Sequence, residues 1–144
     1  MKPVTIEVTR DVDADPARVW SVLADYARDR EWREGVAMRQ EPPGLAVPGA
    51  TTFEQLRFLG QEKTVVARVE TVDPGRSLTF RTVESDVPVR GERRVEATGD
   101  GRSRVTMRLD MELAGLWALG AAPVRLLFRR RVARDLERLA ALVA

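Results

Sequence analysis

The sequence predicts an α+β fold: a curved, seven-stranded antiparallel sheet around a long C-terminal helix, with two short helices after the first strand. Three observations predict it. Residues 105–113 alternate cleanly, with Val105, Met107, Leu109, Met111 and Leu113 on one face and Thr106, Arg108, Asp110 and Glu112 on the other. The turn signals "DPGR" at 73–76 and "GDGR" at 99–102 separate runs of this kind. In the tail, Val124, Phe128, Val132, Leu136, Leu139 and Val143 recur at spacings of three or four, the period of a helix face.

The first element is "KPVTIEVTRDV", where Val4, Ile6 and Val8 alternate with Thr5, Glu7 and Thr9 as in a half-buried strand. Asp13 or Asp15 then caps a helix with Pro16 in its first turn, where a missing N–H costs nothing. Val19, Trp20, Val22 and Leu23 form its apolar face. "YARDREW" reads as a second short helix, "GVAMRQE" as a short strand and "PPGLAVPG" as a proline-rich loop. Five strands follow. "TTFEQLRFL" and "EKTVVARVETV" flank Gly60-Gln61, a pair suited to a two-residue hairpin with glycine first. "SLTFRTVE" comes after "DPGR", and "VRGERRVEAT" and "SRVTMRLDMEL" flank "GDGR". The tail from about Trp117 to Val143 is a long helix with a break or bend at Gly120 to Pro123. No internal repeat or linker interrupts the series, so residues 1–144 suit one domain with one core.

Composition narrows the chemistry. The chain has no cysteine and no histidine, which excludes disulfides, thiolate catalysis, histidine triads and the usual zinc sites. No metal or cofactor is expected. The net charge is only +2, with Lys2 and Lys63 the only lysines. The "RRR" at 129–131 has only Phe128 beside it, so no base-stacking basic patch forms and nucleic-acid binding is not expected. The N-terminus runs directly into a strand, and no apolar run approaches the roughly 20 residues of a membrane span. The expected location is the cytoplasm, without stable membrane insertion.

One sheet face alternates apolar and needs a cover, which only the long helix can supply. Ala67, Val69, Thr82, Gly91 and Val95 are too small to fill the space beneath it, so a cavity is expected. The two early helices would plug one end, with Trp20, Tyr26 and Trp32 as plug and rim.

With these elements placed, the chain resembles the START-like (SRPBCC) superfamily, and within it the bacterial polyketide cyclase/dehydrase and lipid-transport family. The resemblance rests on Pro16, Val19, Trp20, Leu23, Asp25 and Trp32, and on Val69, Asp73 and Pro74 before an "LTF" strand. These are mostly packing and turn positions that specify fold better than function. The resemblance implies a helix-grip fold with a cavity for lipids, sterols, polyketides, quinones or similar hydrophobic molecules.

Hairpin register names the inward residues. A Gly60-Gln61 turn pairs Leu56 with Val65, Glu54 with Ala67 and Thr52 with Val69, all on one face. The next turn adds Leu78, Phe80, Thr82 and Glu84. Setting Val95 opposite Met107 brings in Gly91 and Arg93. The interior is then apolar with three charges, Glu54, Glu84 and Arg93, where an Arg93–carboxylate pair is the cheapest arrangement. A one-residue slip would expose all three. The candidate ligand-binding residues are Trp20, Tyr26, Trp32, Glu54, Leu56, Phe80, Glu84, Arg93, Met107, Trp117 and Phe128, with Trp117 near the cavity mouth and glycines 115 and 120 as a gate or simple turns. The plainer reading of Trp20 and Trp32 is core packing. Phe53 and Phe58 fall on opposite strand faces, so one is outward or in a contact between two copies, and a homodimer stays open.

Three functions remain. The first is a carrier or binding protein for a hydrophobic small molecule. The second is an aromatase/cyclase-like enzyme using a desolvated cavity carboxylate, for which the catalytic residue is not fixed. The third is a surface-interaction module of the toxin or co-chaperone type. The arginines outside the tail helix, Arg129, Arg130, Arg134 and Arg138, read as a solvated face or, more sharply, as a contact with anionic membrane.

Overall fold

Strand alternation and the punctuating turns build the sheet. The computed structural model describes residues 2–58, 60–85, 87–114 and 120–144. Strand β1 is Lys2–Val12, followed by helix α1 (Pro16–Leu23) and a 3₁₀ turn at Tyr26–Glu31. Then come β2 (Val36–Glu41), β3 (Thr51–Phe58), β4 (Gln61–Asp73), β5 (Ser77–Glu84), β6 (Val89–Gly99), β7 (Arg102–Leu113) and helix α2 (Ala121–Val143). The seven strands form one sheet in the order β1-β7-β6-β5-β4-β3-β2, and every neighbouring pair is antiparallel. No helix among the described residues is long and apolar enough to cross a membrane.

Helix α1 buries Val19, Trp20, Val22 and Leu23, the face its sequence pattern predicts. Asp15 has the extended backbone of a cap and precedes Pro16, but its side chain makes no capping hydrogen bond. In the 3₁₀ turn the period is three residues, so Tyr26, Asp29 and Trp32 fall on one side, and all three are buried. Helix α2 turns Val132, Leu136, Leu139 and Val143 inward. It begins at Ala121, with Pro123 inside its first turn, where no intrahelical donor is lost. The expected break at Gly120 to Pro123 falls where this helix begins, and the stretch before Gly120, with Trp117, lies outside the described residues.

Two hairpins differ in register from the sequence expectation. Phe58 pairs with Gln61, so Gly60, with φ of 74°, takes the second place of the connection and not the first. Leu56 therefore faces Lys63, Glu54 faces Val65 and Thr52 faces Ala67. Val95 likewise lies opposite Val105, and Arg93 opposite Met107. Both slips are two residues. Since side chains alternate with period two, the inward set is preserved.

Register shifts between Val66 and Ala67 and between Val69 and Thr71 interrupt the pairing of β4 with β5. Such bulges increase local bend and twist, which suits a sheet that must curve around a helix.

Candidate functional site

Between the inner sheet face and α2 lies a cavity of about 330 Å³. Alternate strand residues wall it: Thr52, Glu54 and Leu56 from β3, Val65 and Ala67 from β4, Phe80 and Thr82 from β5, and Met107, Leu109, Met111 and Leu113 from β7. Phe128, Arg131, Val132 and Asp135 of α2 form the roof. Gly91 sets the depth of the wall beside Phe80. A Cβ at Gly91 would lie 2.2 Å from the tip of the Phe80 ring, so only glycine lets that ring lie flat against β6.

One end of the cavity is polar. Arg93, in the middle of β6, is 2% exposed and reaches the 3₁₀ turn. Its Nη1 and Nη2 donate to the two carboxylate oxygens of Asp29 at 2.9 and 2.6 Å, and Nη1 also donates to the Leu23 carbonyl at 3.0 Å. The guanidinium stacks 4.4 Å from the Tyr26 ring centre and 5.1 Å from that of Trp32. Asp29 also accepts from Arg33 at 2.9 Å, and Arg33 donates to Glu54 at 2.8 Å. Two arginines and two carboxylates thus form one chain of ion pairs with no net charge.

Burial works against charge on Arg33 and Arg93. Glu54 and Asp29 outweigh it for Arg33, and Asp29 for Arg93, so both guanidiniums hold their protons more firmly than usual. Tyr26 borders the cavity, and burial pushes its hydroxyl up to about 12 although Arg93 partly opposes the shift. That hydroxyl has no hydrogen-bond partner among the described residues. Burial also raises the Asp135 carboxyl above its ordinary range, against Arg33, Arg131 and a bond from the Glu34 backbone.

Of the sequence-predicted residues, Tyr26, Glu54, Leu56, Phe80, Arg93, Met107 and Phe128 line this cavity. Trp20 and Trp32 do not; they are buried in the core, Trp32 completely, where they seat α1 and the 3₁₀ turn against the sheet. Glu84 is exposed, which corrects its inward placement. Ala67 pairs with Thr82 but Val66 pairs with Glu84, and this register shift carries Glu84 out of the inward series. Trp117 and Gly115, and with them the gate reading, lie outside the described residues.

The carboxylate that pairs with Arg93 is Asp29, which the strand-based reading did not single out. Its signal was present: Asp29 stands three residues after Tyr26 and three before Trp32, in phase with two large aromatics. Arg33 and Asp135 were missed as well. Arg33 follows the 3₁₀ turn and Asp135 lies beside the buried Leu136 on α2, and the inward position of each depends on tertiary packing.

A family model described as polyketide cyclase/dehydrase and lipid transport matches residues 3–144. No curated protein matches the chain in sequence. Several solved structures share the fold. A protein from Thermus thermophilus superposes with a TM-score of 0.84 at 19% identity, covering 97% of each chain. The Zhui aromatase/cyclase from a Streptomyces species gives 0.81 at 19% identity, covering 99% of this chain and 94% of that one. A START superfamily protein from Mycobacterium smegmatis gives 0.77 at 13% identity over 96% of each.

Two outcomes follow from the polar end. Arg93→Met leaves Asp29 short of its main partner and is expected to cost about 3–5 kcal/mol in denaturant unfolding. Adding Asp29→Asn should recover part of that loss, and strictly additive effects would show that the pair is not coupled. Tyr26 is the only tyrosine, so its ionisation can be followed by absorbance. The folded protein should titrate near pH 12, against the ordinary 10.0 after unfolding. Because the folded-state value is the higher one, this contribution to stability is whole below pH 10.0 and is lost as the pH rises towards about 12.

Proposed function

Because the chain belongs to the polyketide cyclase/dehydrase and lipid transport family, we propose that it is a binding protein or carrier for one hydrophobic small molecule, held between the sheet and α2. The cavity carries this reading. Its volume of about 330 Å³ falls at the lower end of the range for small-molecule sites; Met, Leu, Val and Phe make up about half of its lining, and Arg33, Glu54 and Arg93 stand together beside the 3₁₀ turn. Such a site takes a ligand with an apolar body and one oxygen-bearing end. Tyr26 is the proposed anchor. A buried hydroxyl without a partner costs about 1–3 kcal/mol, and a ligand carbonyl or hydroxyl oxygen accepting its proton would remove that cost.

Asp135, raised by burial, is the lining carboxylate that an acid or base role would use, whereas the other charged groups favour binding over proton transfer. Glu54 and Asp29 are each held by arginine, and the Tyr26 hydroxyl, shifted to about 12, is a donor and not a base at neutral pH. Arg93, Arg33, Asp29 and Glu54 then position the polar end, while Leu56, Phe80, Met107 and Phe128 contact the apolar body.

The first test is native mass spectrometry of the purified protein, then organic extraction and identification of any bound molecule. A stoichiometric apolar ligand supports the reading. A bare mass, with no affinity for a panel of lipids, quinones and polyketides, defeats it. Tyr26→Phe tests the anchor. It should weaken the extracted ligand by about five- to tenfold, the value of one neutral hydrogen bond, while the ligand-free protein melts no earlier than wild type. Equal affinity in both forms would remove Tyr26 from the site.

A further inference from the structure

The outer face of α2 carries a feature that the cavity does not use. From Ala121 to Arg134 the helix has five arginines and no acidic residue; Arg131 roofs the cavity and Arg129 donates to the Glu7 carbonyl, so Arg125, Arg130 and Arg134 are the ones turned away from the body of the protein. Leu126 and Leu127 are 47% and 41% exposed, two of the few large apolar side chains in solvent. Helix geometry places Pro123, Leu126, Leu127, Arg130 and Arg134 on one side, opposite the buried Val132 and Leu136. Arg125, Arg130 and Arg134 make no hydrogen bond or ion pair among the described residues. Arginine over an exposed aliphatic pair on a packed helix is the arrangement that meets an anionic lipid surface: the leucines enter the apolar boundary while the guanidiniums pair with phosphates. Leucine offers no ring for base stacking, so the same charges fit nucleic acid less well.

We infer that the N-terminal half of α2 is a docking face for anionic membrane. The inner side of these same turns completes the apolar end of the cavity. Phe128 and Val132 line it, and Val87, Val89, Met111 and Leu113 lie at that end. A bilayer docked on the outer side therefore lies one helix thickness from the apolar end of the site. The docking itself does not depend on what the cavity holds.

The experiment is flotation of the full chain with vesicles of phosphatidylcholine, alone or with about one third phosphatidylglycerol. The anionic vesicles should carry the protein and the neutral ones should not. Each arginine near such a surface adds about fivefold to partitioning, so R130Q/R134Q should lose roughly thirtyfold. L126Q/L127Q should lose about tenfold through its apolar area, in a manner less sensitive to salt. All four side chains are exposed or half-exposed, so wild-type melting temperatures should confirm that both variants fold. Equal recovery on neutral and anionic vesicles, or wild-type recovery by R130Q/R134Q, overturns the inference. So does a stable dimer that L126Q/L127Q dissociates while vesicles go unbound, since the face then belongs to a second copy. Binding of a DNA duplex in place of vesicles overturns it too.

Discussion

Arg93 ties the structure together. It leaves the middle of a central strand and is taken up at once by Asp29 of the 3₁₀ turn, the Leu23 carbonyl at the end of α1 and the rings of Tyr26 and Trp32. A six-residue 3₁₀ turn makes few internal hydrogen bonds and has poor intrinsic geometry, so its position depends on what it packs against. Here one guanidinium supplies that fixed point. The attraction between two buried ions is largely offset by their desolvation, and an apolar substitute of similar volume could be as stable. What the ion pair contributes is position. Two planar groups meeting through paired hydrogen bonds have one good geometry, whereas two apolar surfaces have many.

The cavity follows from that constraint. With the turn pinned against β6, Tyr26 and Arg33 close one end of the inner face, while α2 covers the face without filling it. Thr52, Ala67 and Thr82 are too small to reach the helix, and Gly91 keeps the Phe80 ring down. Glu54 would be an isolated charge on an apolar wall, but Arg33 joins it to Asp29 and so to Arg93. The polar groups of the site and the anchor of the fold are therefore one network. A change in the site would be felt in the packing of α1, and a change in the turn would be felt at the ligand.

Much of this was legible in the sequence because strand and helix periods are local. The alternation of Val105 to Leu113, the "DPGR" turn and the tail spacing each specify an element without reference to the rest. The hairpin registers were each two residues off, yet the inward residues held because a slip of two preserves the face. Glu84 failed for the complementary reason: a bulge changes the parity, and nothing local in "RTVES" announces one. Trp20 and Trp32 were legible as aromatics at a plug, but whether a plug residue faces the core or the cavity is settled by packing between elements. Asp29 is readable only on the assumption of a three-residue period, whereas "YARDREW" reads as an ordinary helix.

The polarity of the cavity also gives it a direction. Asp135 and Arg131 approach the charged end from the middle of α2, and Phe128 approaches the apolar end one turn nearer the helix start. On the proposed reading, a ligand with its oxygen near Tyr26 would lay its body toward Phe128, Met111 and Leu113. The proposed orientation thus follows from where the charged and the apolar lining residues stand relative to the first turns of the helix.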